Sequence, residues 1–566
     1  SHLMPPLFAL GNTDLADILK KNRFYIDKTQ FLADWWRIGS LVTLITRPRR
    51  FGKTLMINTV ERFFSLRFSD QEQVFKNFKV WEDPSMSILA GKLPVISLSF
   101  ANVKGQDFQS VRELVIQTLL ELRNQFDFIR TSQHLTEEER QFFANFSAKV
   151  SDSEAQYFLF NLSQALCKHY GSRVIILIDE YDTPMQEAWL NGYWSKLSSF
   201  LQPLLGKALK DNAYLERGLL TGITRIAKES IFSDLNHLDV ITTVSDDYST
   251  AFGFTESEVF AAMDRCGLSD RRNVKDWYDG FTFGHSHDIY NPWSILNYLK
   301  EKQFAPYWAN TSSNALAGQL IREGSKKVKQ DFERLLRGET IVTTLSESIV
   351  FQDLKSNTSS LWSLLLASGY LKIAGTAANQ NYHLALTNRE VREMFEDLIR
   401  RWFDDDNDSY ADFVDTLLSG DVWAMNETMN ALTQSVFSFF DTNAEQPEKF
   451  YHGFVLGLLV TLKDRFIITS NRESGFGRYD VVLEPRDKAK DEAFILEFKI
   501  HRTGPLEDSL KLAHEQIRTK NYATDLLNRG IPKDRIRAYG HVFDGKKVGG
   551  LVIRTAGERG DLELLF

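Results

Sequence analysis

Two groups of residues, far apart in the chain, have the types and spacing needed to work on phosphate esters. The first is built on Gly52, Lys53 and Thr54, which follow an apolar strand-like run, Leu41 to Ile45, and a basic loop. They lead into a helical pattern of Leu55, Met56, Ile57, Val60, Phe63 and Phe64. In that order the N–H groups of the helix start face an anion, the lysine reaches the outer oxygens of a polyphosphate, and the threonine ligates Mg²⁺. Arg49, Arg50 and Phe51 complete the loop expected around the phosphates, while Arg47 stands where a glycine is usual. A second apolar run, Val174 to Ile178, delivers Asp179 and Glu180. An acid in that place holds Mg²⁺ through its water shell, and a following glutamate polarises an attacking water. Leu219 to Arg225 offers Thr221 to sense a γ-phosphate and Arg225 to offset developing charge, in its own chain or in a neighbouring subunit.

The second group is Asp480, Glu497 after 16 intervening residues, and Lys499 two positions further on. Two carboxylates and an intervening carbonyl collect one or two Mg²⁺ ions, with Mn²⁺ as a substitute, to polarise a phosphodiester and acidify a bound water. Glu497 and Lys499, two apart on a strand, share one face, so the lysine can orient or deprotonate that water.

Holding these groups takes two sheets. The apolar runs at Leu41, Leu93 to Phe100, Val174 and Arg217 to Ile223 are short and are separated by long helical stretches. That pattern predicts a parallel sheet covered on both faces, with ligands at the C-terminal ends of its strands. Around the second group the order is a helix from FYHGFVLGLLVTLKDR, strands near Arg465 to Thr469, GFGRYDVVLEP and AFILEFKI, a helix from Leu506 to Leu527, and a hairpin turning at Asp544 and Gly545. The region from about 250 to 440 reads as mainly helical. Thr255 and Glu258 predict a capping box there. LWSLLLASGYLKIAG and YHLALTNREVREMF predict a helix, hairpin, helix unit of winged-helix-like type. His285, His287 and Asp288 form an HxHD string without further ligands, which suits a solvated loop better than a metal site. Lys326, Lys327, Lys329, Arg334 and Arg337 read as a solvated helix face.

A chain of 566 residues has room for several domains. Its net charge of −8 argues against non-specific polyanion binding by the whole molecule. The distribution is uneven: residues 448–566 carry 21 Lys/Arg against 18 Asp/Glu, a net of +3, and the remainder stands at −11. The C-terminal part is therefore the one expected to meet a polyanion. Cys167 and Cys266 are too far apart to suggest a disulfide framework or a zinc cluster, and the apolar run FVLGLLVTL is too short to span a bilayer. A cytoplasmic location is expected.

FYIDKTQFL, TRPRRFGKT, ILIDEYDTP, LLTGITRIAKESIFSDLN and WYDGFTFG followed by IYNPWSI together resemble the bacterial AAA-ATPase-like family, whose members commonly carry a C-terminal PD-(D/E)XK nuclease-like domain. That family shares the Arg-Pro-Arg-Arg-Phe-Gly-Lys loop, so the resemblance makes Arg47 a family variant. It also implies that Asp27, Lys28 and Thr29 lie close to a nucleotide. In the C-terminal part, Glu448 is the candidate upstream helical carboxylate. Gln516 and Tyr522 resemble a downstream Gln…Tyr element, at Q-x₅-Y where Q-x₃-Y is usual, a departure that leaves Tyr522 outside the expected catalytic set. The expected fold is α/β: an AAA/ASCE-like P-loop core over 4–250, a helical and winged-helix-like region over 251–440, and a PD-(D/E)XK domain over 441–566. The expected activity is an ATP-binding and ATP-hydrolysing, Mg²⁺-dependent nuclease whose nucleotide state controls cleavage. The alternative is a nucleotide-driven switch or motor whose C-terminal domain only binds nucleic acid or a protein. The expected partners are ATP and nucleic acid, DNA ahead of RNA, with no membrane; a homo-oligomer is allowed.

Overall fold

The computed structural model describes residues 6–226, 231–232, 235–309, 314–346, 348–403, 409–437, 446–473, 478–500, 522–544 and 547–555. The chain divides into two compact units. One comprises Ser1–Thr311 and Val342–Val391, the other Ser312–Ile341 and Arg392–Phe566.

The first unit is organised on a five-stranded sheet of β1 (Val42–Thr46), β2 (Val95–Ser99), β3 (Val174–Asp179), β4 (Leu215–Gly222) and β5 (Leu238–Ile241). All neighbours are parallel and the spatial order is β2-β3-β4-β1-β5. β1 and β3 are buried at every position, as continuously apolar central strands require. Parallel register brings the C-terminal ends to one edge: Ile45 pairs with Thr221, Thr46 with Gly222, and Ser99 with Asp179. Helices α1 (Leu15–Lys20), α2 (Gln30–Ile38) and α3 (Lys53–Phe64) cover this sheet, with Phe31, Trp35, Val60, Phe63 and Phe64 in the core. Three longer helices, Phe108–Gln125, Asp152–Tyr170 and Trp194–Leu209, belong to the same unit.

Past β5 the expected helical region also contains strands. β6 (Phe254–Thr255), β7 (Phe281–Phe283) and β8 (Ser286–Tyr290) form a small sheet, because FTF and SHDIY alternate and close on the tight turn at Gly284. β9 (Ile341–Thr344), β10 (Leu371–Thr376) and β11 (Asn381–Leu386) form another. The helix Thr358–Ala367, the β10–β11 hairpin and the helix from Arg389 follow the winged-helix-like order. The Thr255–Glu258 capping box is present in both directions. The HxHD residues go to separate partners. His285 Nδ1 lies 2.7 Å from Asp246, while Lys275 Nζ donates to Asp288, Asp279 and Glu256 at 2.9, 2.8 and 2.8 Å and itself supplies the cation those acids need.

The second unit contains a mixed sheet of β12 (Phe466–Glu473), β13 (Arg478–Pro485), β14 (Ala493–Ile500), β15 (Ile536–Asp544) and β16 (Lys547–Thr555), in that spatial order. Only β14 and β15 are parallel. The helix Gln446–Leu462 packs Tyr451 and Phe454 against Tyr479 and Phe498 on one face. The helix Tyr522–Asn528 packs Leu526 with Ala493, Ile495, Ile536 and Ala538. In the basic stretch 326–337, Lys329 is fully buried, and its amine donates to the carbonyls of Arg322 and Gly324 at 2.8 and 2.6 Å. That lysine therefore closes the end of the preceding helix and does not belong to a solvated face. Residues 404–408, with the sequence DDDND, lie outside the described residues.

His541 on β15 is fully buried against Phe498, with ring centroids 4.9 Å apart, and neither ring nitrogen has a hydrogen-bond partner among the described residues. Burial holds its pKa down to about 3. The unfolded chain takes up this proton near pH 6.5 while the folded chain does not, so between those values unfolding binds protons and stability falls as pH falls. Replacing His541 with Phe should remove up to ~1.4 kcal/mol per pH unit of that acid loss. Thermal melts of both proteins at pH about 7.5 and about 5.5 check it: the wild-type midpoint should drop further than the variant's.

Candidate functional site

The loop between β1 and α3 runs from Arg47 to Gly52. Its left-handed residues are Arg50 (φ 64°) and Gly52 (φ 85°), and Arg47 has no positive φ. A glycine at 47 is therefore not demanded by the backbone. Arg47 is fully buried. It donates from Nη1 to the carbonyls of Thr46 and Thr242 at 2.9 and 3.1 Å, and its guanidinium lies 4.1 Å from the centre of the Phe283 ring. Burial pushes its pKa down to about 9. Arg49 donates to Tyr370 Oη at 2.8 Å and to the Trp308 carbonyl at 3.2 Å, and the Trp308 indole returns a bond to the Arg49 carbonyl at 3.0 Å. Arg50 lies over the Trp293 ring at 4.4 Å. Phe51 is buried with Phe281, Phe283 and Ile289. Aromatic partners thus surround this end of the loop, and removing a side chain as buried as Phe51 costs about 3–5 kcal/mol.

Gly52 starts α3 without any side-chain cap, and no acid occupies the first turn. The first N–H groups of the helix are thereby left for an anion. Lys53 is 2% exposed, and its amine donates to the Arg47 carbonyl at 2.6 Å and lies 3.7 Å from Glu180 Oε1. Thr54 Oγ1 donates to Asp179 Oδ2 at 2.7 Å, and Thr221 Oγ1 donates to Asp179 Oδ1 at 2.5 Å. Burial and the neighbouring Glu180 raise the pKa of Asp179, while the two hydroxyls and Lys53 pull it back. Glu180 adopts φ 54°, a left-handed turn that costs roughly 1–3 kcal/mol and turns the chain sharply at the strand end. Thr54, Asp179, Glu180 and Thr221 form one cluster of hard oxygens beside Lys53, and that donor set fits Mg²⁺. Arg225 is one turn beyond β4, and its carbonyl accepts from Ile349 N at 2.8 Å.

Asp27 and Lys28 precede α2. Asp27 accepts from Thr29 Oγ1 and Lys79 N at 2.6 and 2.9 Å, and Lys28 donates to Glu258 and the Thr250 carbonyl at 2.7 and 2.8 Å. Both line a cleft of about 600 Å³ bounded by residues 246–251. Gly253, in the same segment, packs on Phe51, so that segment runs from the loop to the cleft.

In the second unit, Asp480 on β13 and Glu497 on β14 sit directly opposite one another in the antiparallel ladder. They are 1% and 0% exposed. Opposite residues bring their Cβ atoms within about 5 Å, so two carboxylates share one small buried space. Such a pair repels unless a cation or proton joins it, and its oxygen donors fit a divalent ion. Lys499 follows on β14, two residues past Glu497, and Glu448 lies in the first turn of the helix Gln446–Leu462. Gln516 lies outside the described residues. Tyr522 Oη donates to Asp480 Oδ2 at 2.6 Å, and Tyr451 Oη donates to the Asp480 backbone carbonyl at 2.7 Å. Sequence reasoning set Tyr522 aside because of its spacing and did not single out Tyr451. The signal for Tyr451 was its place five residues after the start of the helix preceding the strands, where only packing on β13 gives it a target.

Among the described residues no helix is long and apolar enough to cross a membrane. The chain is similar to a protein of Azotobacter chroococcum mcd 1 described as an uncharacterized protein in the vnfD 5′ region. The two are 26% identical over 567 residues, covering 94% of this chain and 96% of that protein. Residues 9–232 match the AAA-ATPase-like family model, described as a predicted AAA-ATPase, and residues 446–550 match that of the PD-(D/E)XK nuclease superfamily. With Lys53, Thr54 and Asp179 gathered in the first stretch and Asp480 paired with Glu497 in the second, this chain joins an AAA-ATPase-like domain to a C-terminal PD-(D/E)XK nuclease superfamily domain, a combination that points to hydrolase activity.

Proposed function

We propose that this protein binds and hydrolyses ATP and cuts nucleic-acid phosphodiesters with Mg²⁺, its nucleotide state controlling the nuclease. The observation that carries the nuclease reading is the buried Asp480–Glu497 pair, with Lys499 two residues on along the same strand. Burying two like charges side by side is costly without a counter-cation, and a divalent ion supplies both the charge balance and the activation of water. Tyr522, by its bond to Asp480 Oδ2, holds that carboxylate in one orientation. On the ATPase side, Gly52, Lys53 and the open start of α3 cradle phosphates, with Arg49, Arg50 and Phe51 shaping the loop behind them. Thr54 and Asp179 hold Mg²⁺, Glu180 orients water, Thr221 senses the γ-phosphate and Arg225 offsets charge. Asp27 and Lys28 border the nucleoside end. Glu448 and Gln516 join the nuclease site, DNA is the favoured substrate, and the domains divide near residues 250 and 440. One carboxylate in each site, Asp179 and Asp480, is held by hydroxyl groups, which fixes its orientation.

Cleavage assays on plasmid, single-stranded DNA and RNA, each with and without ATP, test this reading. Lys53→Ala should cut ATP turnover by about 100-fold or more and remove any effect of nucleotide on cleavage, leaving the cleavage chemistry available. Lys499→Ala should do the reverse. Tyr522→Phe should slow cleavage about tenfold without touching ATP turnover, because Asp480 loses one orienting bond. Chelation of divalent ions should stop cleavage, and Mg²⁺ or Mn²⁺ should restore it. Absence of cleavage under every condition, with Asp480→Ala changing nothing measured, would reject the nuclease reading.

A further inference from the structure

Asp182 is fully buried and two residues past Glu180, yet it touches neither Lys53 nor Asp179 in any hydrogen bond among those described. Its contacts all go sideways. Oδ2 accepts from the backbone N–H groups of Ile223 and Thr224 at 3.0 and 2.9 Å, from Thr224 Oγ1 at 2.9 Å and from Gln186 Nε2 at 3.2 Å. Oδ1 has no hydrogen-bond partner among the described residues and lies against Gly222, where an added Cβ would come within 2.7 Å of it. Tyr181 takes hold of the same loop: its hydroxyl donates to the Thr224 carbonyl at 2.5 Å and accepts from Ile226 N at 3.0 Å.

The loop gripped in this way carries the contacts on which the phosphate site turns. Thr221 bonds Asp179, and its hydroxyl also receives Glu180 N at 3.3 Å. The Gly222 carbonyl receives Arg47 N at 3.0 Å and lies 3.4 Å from the Lys53 amine. Arg225 follows at once. These residues belong to β4 and its exit, while Asp179 and Glu180 belong to β3, and parallel pairing of the two strands ends at Ile178 and Leu220. Beyond that point one backbone bond, from Tyr181 N to the Thr221 carbonyl at 2.9 Å, still joins the two ends, and past it side chains hold the 222–225 segment. A carboxylate accepting two successive N–H groups and a hydroxyl is a strong, directional way to achieve it, because an ionised acceptor forms the stronger class of hydrogen bond.

We propose that Asp182 is a positioning residue for ATP hydrolysis, which fixes the 221–225 segment against the Asp179–Glu180 turn so that Thr221 and Arg225 meet the γ-phosphate in register with the metal and water. The inference rests on the ATPase reading. Asp182 itself reaches no phosphate; the open α3 start and Lys53 bind ATP without it. Its loss therefore falls on turnover and spares binding.

The test uses the full chain with Mg²⁺ and ATP. Asp182→Asn keeps the shape and removes the charge, and it should lower kcat about tenfold or more with KM for ATP changed less than about threefold. Thr224→Val should lower kcat by less. The double variant should be no slower than Asp182→Asn alone, since the side-chain bond that Thr224 loses is one of those made by Asp182. Unchanged kcat, a KM that rises as kcat falls, or multiplying effects would overturn the proposal. Hydrogen exchange gives an independent readout: in Asp182→Asn the peptide over 221–226 should exchange about tenfold faster, with the β1 and β3 peptides unchanged. Equal acceleration throughout the unit, or none in 221–226, also overturns it. A wild type that turns over no ATP, indistinguishable from Lys53→Ala, rejects the ATPase reading instead, and the exchange result then still decides whether Asp182 holds the loop.

Discussion

The carboxylate of Asp179 is held by two hydroxyls that come from different parts of the chain, Thr54 from the start of α3 and Thr221 from the end of β4. Everything at the edge of the first sheet depends on that arrangement. It exists because β4 lies between β1 and β3, so that the strand feeding the phosphate loop and the strand bearing the acids are not neighbours. The intervening strand contributes the Thr221 hydroxyl to Asp179. Because the parallel register carries every C-terminal end to the same side, no long connection is needed to gather the groups.

In the second unit the same task is solved by antiparallel pairing. Asp480 and Glu497 face each other across one ladder, and both are buried. Desolvating two acids together is among the more expensive arrangements a fold can hold. The hydroxyls of Tyr451 and Tyr522 come from the helices before and after the strands and meet Asp480 at its carbonyl and its carboxylate. The aromatic packing of Tyr451 on Tyr479 and Phe498 fixes that helix on the sheet. The core and the site are thus built from the same side chains.

Much of this could be read in advance. Short apolar runs separated by long helical patterns announced the parallel sheet, and Gly52, Lys53 and Thr54 after the first of them marked the start of α3. The x₁₆ spacing placed Asp480 and Glu497 near one another because two strands and a turn of that length bring their ends level. Less legible was Arg47. Its position in place of a usual glycine could be read, but not its burial over Phe283, a contact between residues far apart in sequence. Lys329 was hidden for the same reason, since its partners are the carbonyls at the end of another helix. Nor could local pattern show that residues 312–341 join the unit of the C-terminal sheet, where Glu333 accepts from Ser470 at 2.5 Å.

The sequence by itself determined which chemistry the chain carries: residue types with the right protons and charges, and periodicities that assign each to a strand end, a loop or a helix start. Those are local properties, set by backbone geometry and the alternation of apolar side chains. Only the tertiary structure decided which polar groups meet. That β4 inserts between β1 and β3, that Asp182 spends its carboxylate on the Gly222–Thr224 turn, and that Tyr522 reaches Asp480 despite its unusual spacing all follow from packing between distant segments. A hydrogen bond is satisfied over about 3 Å, a distance that sequence separation does not encode and that the close packing of a core imposes.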